Sequence, residues 1–419
     1  MTLSDRIIET QVGDCRLFML RTTVDSVVSF YGSFATRPDL TTNQDILQDL
    51  AVALLDKGTT ERDKFQIAEE LESRGAEIRF HSMATRIAFS GKCLNRDVTP
   101  VIGICAEQLR KPSLSEDEYN KVLPRLQASV MQSMESTGAQ SGSALRRLIF
   151  DKNHPNFAHA PEAEMEMLSD TKLADIAGYY RSRAGANEFV LVVVGDFEAD
   201  DVTKAVSTGF GEWPDQNVSR KYDRSPVEKS GSPVHIPMRD KQNLDVRIGH
   251  AVDVIRTHRD YLPLYLGIFI LGGNFSSRLM DTIRDKEGLT YGIYAQLNGV
   301  SSEFCGYFLV RATFSADTLD VGIRRTNELI AEFAENGISP EELASKKKTV
   351  SGSYKVGLAS TGSLARTIGT NIISGLGAEY VDLFASLVEG VSVEEVNAAL
   401  SKWIDPDKLL TATAGTLGT

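Results

Sequence analysis

Hydrolytic metal chemistry needs histidine, glutamate or cysteine at helical spacing, because two ligands must face one ion from the same side of a helix. The chain has six histidines. His81 sits at the end of a predicted strand, His154 in a loop before Pro155 and His159 five residues on, and none has a second histidine three or four residues on. The four cysteines, Cys15, Cys93, Cys105 and Cys305, have no paired spacing. They are expected to be small buried hydrophobes in a reducing compartment rather than ligands or disulfides. The most organised stretch in the first half, Leu47 through Leu55 running into Asp56-Lys57-Gly58-Thr59, is an apolar helix with a Gly-Thr stop, and it contains no histidine.

The elements around that stretch recur. In a chain of 419 residues two domains are expected. Hydrophobic residues make up 42% and charged residues 24%, the balance of a globular protein. A net charge of −12 argues against a nucleic-acid surface, which relies on clustered Lys and Arg. No apolar run reaches the ~18 residues of a membrane helix. Met1 to Arg6 carry no basic-then-apolar signal pattern, so a cytoplasmic location is the expectation.

Apolar alternation predicts strands at 17–20, 26–31, 76–80 and 86–90, with helices at 43–56, 65–71, 97–110, 115–136 and 139–151. A helix over 168–180 and the β-branched run Phe189 to Val194 close the first half. Prolines at 214, 226, 233 and 237 among polar residues mark a linker over 211–240. The same order then returns: strand at 243–251, helix at 261–271, Gly272-Gly273, a second helix from Ser277 to Arg284, strands at 290–298 and 304–313, three helices, and a closing helix and strand. The expected fold class is α+β, with two homologous domains, 1–210 and 241–419, each an antiparallel-rich sheet packed against helices.

Gly58-Thr59, Ala68 to Gly75, Asn153-His154-Pro155, Val194-Gly195-Asp196, and Ser277-Arg278-Leu279 through Arg284 to Tyr291 stand in an order that resembles the pitrilysin/insulinase family of zinc peptidases, whose members include mitochondrial processing peptidase. The resemblance spans nearly the whole chain. It implies a His-x-x-Glu-His motif on the helix before Gly58-Thr59, with zinc held by the two histidines and a glutamate on a later helix. Asp49 and Ala53 occupy the ligand positions and Val52 that of the general base, so the motif is lost. The stretch Leu126 to Met134, where the third ligand belongs, has no acid, and Glu135 lies just beyond.

In the second half the resemblance implies that Arg284 and Tyr291 reach a bound peptide near its scissile bond. A guanidinium and a phenol offer donors to a carbonyl oxygen that gains charge during attack. From the residues alone, Arg284 is equally a helix-surface partner for Asp281 or Glu287, Tyr291 a half-buried strand aromatic, Tyr294 a core or chamber-wall residue, and Lys346-Lys347-Lys348 an exposed helix face. For chains of this kind the resemblance implies a non-catalytic subunit of a heterodimeric zinc metallopeptidase: inactive alone, without metal of its own, binding peptides and acting in trans on a homologous partner chain that carries His-x-x-Glu-His and the zinc. Two alternatives stand beside it, a structural subunit of a larger complex and a peptide-binding homodimer.

Overall fold

A computed structural model describes the chain except for residues 1, 24–25, 220–221, 223–230 and 418–419. Part of the expected 211–240 linker therefore lies outside the described residues. Within the rest of it, Val234–Pro237 forms a strand.

Six strands build the first sheet: β1 (Ile7–Val12), β2 (Cys15–Arg21), β3 (Val27–Ala35), β4 (Glu77–Met83), β5 (Arg86–Leu94) and β6 (Phe189–Gly195), in the order β1-β2-β6-β3-β5-β4. β6 runs parallel to β2 and antiparallel to β3. Its continuous apolar sequence fits that central place, because every one of its residues is buried. One face meets the helix Thr361–Ile373 through Tyr31, Val192, Leu364 and Ile368. On the first half's residues an aromatic cluster also forms, in which Phe210 packs against Phe89, Phe189 and Trp213, with ring centroids 6.3, 5.0 and 5.8 Å away. Removing one such ring costs about 3–5 kcal/mol.

The second sheet contains β7 (Val234–Pro237), β8 (Asn243–Val252), β9 (Ile293–Asn298), β10 (Gly306–Ser315) and β11 (Leu410–Gly415), ordered β7-β11-β8-β10-β9. The closing strand β11 pairs antiparallel with β8 and parallel with β7. The duplication is visible as topology: β2-β6-β3-β5-β4 in one sheet corresponds to β7-β11-β8-β10-β9 in the other. β4 and β9 are thereby equivalent edge strands.

The compact units are not continuous in sequence, unlike the linear division expected from the repeat. One consists of residues 1–127, 166–221 and 354–384, the other of 128–165, 222–353 and 385–419. The first unit's sheet is covered by a helix from late in the chain, Thr361–Ile373. The second is covered by an early one, Thr137–Ile149, whose Ala144, Leu145 and Ile149 pack with Tyr307, Leu410 and Ala412. Periodicity reports that a helix has an apolar face, not which sheet receives it.

Candidate functional site

The helix Gln44–Leu54 carries Asp49, Val52 and Ala53, the positions at which the resemblance places the zinc motif. Ile46, Leu50, Ala51 and Leu54 are buried, leaving the other face for Asp49 and Ala53. Its orientation is fixed by Gln48, a polar side chain only 1% exposed. The Gln48 Nε2 donates to Ser82 Oγ at 2.9 Å and to the Met83 carbonyl at 2.6 Å, so the helix is pinned to edge strand β4. Its Oε1 accepts from Tyr179 Oη at 3.0 Å and from the Thr36 hydroxyl. Past the helix, Gly58 adopts φ +117°, a value that favours glycine, and the Thr59 hydroxyl accepts from the backbone N–H of Glu61 and Arg62.

Asp49, Val52 and Ala53 line a cavity of about 670 Å³ together with Asp56, Lys57, Val122, Arg125, Leu126 and residues Ile78 to Ser82 of β4. The lost motif positions therefore face one space bordered by an open sheet edge. Val52 is 9% exposed and gives that space an apolar floor, while Asp49 is exposed. His81 also lines it, and desolvation, reinforced by the charges of Arg366 and Arg79, holds its imidazole below the usual histidine range. The donor set does not fit zinc: a carboxylate, a methyl group and a valine stand where two imidazoles and a base are needed. Among the described residues no cluster of three or more His, Cys, Asp or Glu is placed to hold a metal ion. Glu135 is exposed and pairs with Lys241 at 3.4 Å.

In the other unit, Arg284 lies on a π-helical segment, Met280–Lys286, where a plain α-helix is the expectation. The wider turn appears in its hydrogen bonds, Glu287 N–H reaching Thr282 O at 3.0 Å. The guanidinium pairs with Asp285 at 3.5 Å, not with Asp281 or Glu287, which pair with Lys286 and Arg325. It also sits 5.6 Å from the ring centre of Phe275, itself 66% exposed. Tyr291 is 94% exposed, so it is not the half-buried strand aromatic of the alternative reading. Its backbone is nonetheless held: the neighbouring Thr290 hydroxyl donates to Thr313 O at 2.6 Å and accepts from Gly292 N–H at 3.2 Å. Tyr294, half-buried in β9, packs edge-on against Phe275 at 6.3 Å.

One sequence expectation is overturned nearby. Lys346 does not belong to an exposed face; it is 5% exposed. Its ammonium donates to Asn274 Oδ1 at 3.0 Å, Ser276 O at 2.8 Å and Ser276 Oγ at 2.6 Å, clamping the turn that carries Phe275. Desolvation moves its pKa below the usual lysine value. A run of three lysines hides this, since charge patterning does not tell which member points inward. All four cysteines are buried, as expected. His154 is buried, its Nδ1 accepting from Asn156 N–H at 3.0 Å, a local cap within a loop.

No helix among the described residues is long and apolar enough to cross a membrane. Residues 171–350 match the peptidase M16 inactive domain. A non-peptidase homologue, YmxG, of Helicobacter pylori is 24% identical over 358 residues, covering 85% of this chain and 81% of its own. An uncharacterised zinc protease of Streptomyces coelicolor is 21% identical over 351 residues, covering 82% of this chain and 75% of its own. The crystal structure of a peptidase M16 inactive domain from Pseudomonas fluorescens superposes with a TM-score of 0.88 at 22% identity, covering 98% of both chains. With two duplicated sheets, a match to the peptidase M16 inactive domain over residues 171–350 and no His-x-x-Glu-His motif, this chain is similar to M16, pitrilysin-like proteins.

Proposed function

We propose that this chain is the non-catalytic subunit of a two-chain zinc metallopeptidase, inactive alone, binding peptide and contributing Arg284 and Tyr291 to chemistry at a zinc site on a homologous partner. The observation that carries this reading is Tyr291: a large aromatic side chain, 94% exposed, on a backbone fixed by Thr290. Keeping a phenol in water on a rigid turn gains the fold nothing, whereas it offers a preorganised donor to an incoming group. Arg284, one helical segment earlier, supplies a second donor oriented by Phe275. Together they would hydrogen-bond a peptide carbonyl oxygen that acquires negative charge.

The cavity at the Gln44–Leu54 helix supports a peptide-binding role in its own right. An extended peptide can add to the free edge of β4 and lay alternate side chains over Val52, Ala53 and Leu126. That feature favours a second reading, a homodimer that retains peptides without cutting them.

The test combines the purified chain, a His-x-x-Glu-His homologue from the same genome, and a quenched fluorescent peptide. Cleavage by the mixture but by neither chain alone, falling about 10²-fold or more with Arg284→Ala or Tyr291→Phe in this chain, is the expected result. Zinc-dependent cleavage by this chain alone would overturn it. Peptide binding without cleavage in the mixture, with the chain eluting as a dimer, would favour the second reading.

A further inference from the structure

A transverse row of side chains crosses three strands of the second sheet. Arg311 of β10 lies directly opposite Arg247 of β8 on one side and Tyr294 of β9 on the other. Residues in direct register share a face of the sheet, so all three side chains stand on the same surface. Two cations directly opposite each other destabilise a sheet. Arg247 is accommodated: its side chain is 14% exposed, it reaches Asp245 Oδ1 at 3.5 Å, and it donates to the carbonyls of Val246 at 3.0 Å and Gly138 at 3.4 Å. Arg311 is exposed and has no carboxylate partner among the described residues. Its guanidinium lies over the Tyr294 ring, 5.1 Å from the centroid.

The row continues past β9. Tyr294 meets Phe275 edge-on, with 88° between the rings, and Phe275 carries Arg284 over its face at 5.6 Å. The result is a cation–aromatic–aromatic–cation run, Arg311 to Tyr294 to Phe275 to Arg284. Stacking a guanidinium on a ring fixes its plane and leaves its N–H edges free for a planar anion. The run lies beside an edge strand, β9, whose Ile293-Tyr294-Ala295-Gln296-Leu297-Asn298 sequence has no charge, proline or glycine to discourage pairing. This local cationic surface stands on a chain of net charge −12.

We infer that the Arg311–Tyr294–Phe275–Arg284 surface beside β9 is a specificity site for acidic peptide segments, an assignment that presupposes the peptide-binding role proposed above. An extended peptide paired along β9 would cross this row, presenting every second side chain to its face about 6.8 Å apart, so a carboxylate at the crossing point meets the guanidiniums whichever alternate position falls there. Arg311 forms the bidentate contact its lack of a carboxylate partner leaves open. The unfavourable Arg247–Arg311 pairing is then relieved by the substrate's charge.

The probe is a fluorescein-labelled dodecapeptide with Glu alternating with Thr and Val, compared by anisotropy with the same peptide carrying Gln for Glu, on the full chain at low salt. The Glu peptide is expected to bind about tenfold or more tightly, the scale of a lost charge-assisted hydrogen bond. That advantage should shrink as salt is raised, vanish in Arg311→Gln and persist in part in Arg311→Lys. Arg311→Gln should melt at or above the unaltered chain's temperature, since it removes a like-charge pair. Equal binding of both peptides would overturn the acidic preference while leaving peptide binding in place. An undiminished preference in Arg311→Gln would overturn the site, as would a marked drop in that variant's melting temperature. Failure of every peptide to bind would overturn both this assignment and the peptide-binding reading.

Discussion

Gln48 Nε2 donates to the Met83 carbonyl at 2.6 Å, tying the residue just before the first lost motif position to the edge strand across the cavity. The same side chain accepts from Tyr179 and Thr36, so one amide joins the helix Gln44–Leu54, β4, the end of β3 and the helix Leu173–Arg183. Substituting Gln48→Leu leaves two buried hydroxyls and a carbonyl without their partner, and a loss of about 2–4 kcal/mol is expected. Asp49→Asn, one residue on but exposed, should change stability by no more than about 0.5 kcal/mol. Urea unfolding of the two variants side by side checks the contrast; comparable losses in both would show that Gln48 is not the anchor.

The proposed role of Arg284 and Tyr291 should be separable from stability. Tyr291 is 94% exposed, and among the described residues Arg284 has one ion pair, to the half-exposed Asp285. Tyr291→Ala and Arg284→Ala should therefore each unfold within about 0.5 kcal/mol of the unaltered chain. Chemical denaturation provides the measurement, and a loss well above that range would mean the pair supports the fold.

Lys346 should behave in the opposite way. Its ammonium satisfies three oxygens of Asn274 and Ser276 in a buried setting. Lys346→Ala leaves those acceptors unpaired, at an expected cost of about 1–3 kcal/mol, whereas the exposed Lys348→Ala should be near neutral. If the turn that carries Phe275 loosens, Arg284 loses its aromatic support as well. Comparing the two melting curves tests the assignment of the buried member of the lysine run.

How much of this was legible in the sequence follows a physical pattern. The doubled order of strands and helices was readable because apolar periodicity is local, and Val190 to Val194 could be placed as a buried strand from their run alone. The exchange of Thr137–Ile149 and Thr361–Ile373 between compact units was not, because an apolar helix face does not name its acceptor. Asp49, Val52 and Ala53 were found by their distance from Gly58-Thr59, and all three line one cavity. Gln48, Arg311 and Lys346 were missed: each depends on a partner 35 residues or more away or on strand register, which single-residue chemistry does not encode. Gln48 alone left a signal, a polar residue inside an apolar helix stripe.

Acid should weaken the second unit through His250. The ring is 4% exposed; its Nδ1–H donates to Ala251 O at 2.8 Å and its Nε2 accepts from Asp405 N–H at 3.2 Å. Both nitrogens are used by one neutral tautomer, and burial holds the pKa below the usual histidine range. Since the folded state resists a proton that the unfolded chain accepts near pH 6.5, unfolding free energy should decline as pH falls below about 6.5, with a limiting slope of about 1.4 kcal/mol per pH unit, until the folded ring itself protonates. Denaturant titrations at pH 7 and 5 on the unaltered chain and on His250→Gln measure it. The pH-dependent loss should be smaller in the variant, and an identical loss would assign the acid sensitivity elsewhere.

Building a metal site tests whether the helix Gln44–Leu54 has the geometry that the resemblance implies. Asp49, Val52 and Ala53 face the same cavity, so Asp49→His, Val52→Glu and Ala53→His would put two imidazoles one turn apart with a carboxylate between them. Two imidazoles alone leave zinc short of the three protein ligands a hydrolytic site uses. Leu126 lines that cavity from the helix Glu116–Met134, and Leu126→Glu would bring a third ligand to the same space. The neighbouring Arg125 guanidinium in the same cavity opposes a dication, so Arg125→Gln should be added. The expected order of zinc affinity, read by competition with a chromophoric chelator, is negligible for the unaltered chain, weak for the triple variant and stoichiometric for the fivefold one. If the fivefold variant folds, by its circular dichroism and melting curve, yet binds no more zinc than the triple, then position 126 does not supply a third ligand and the cavity lacks the metal geometry that the resemblance implies.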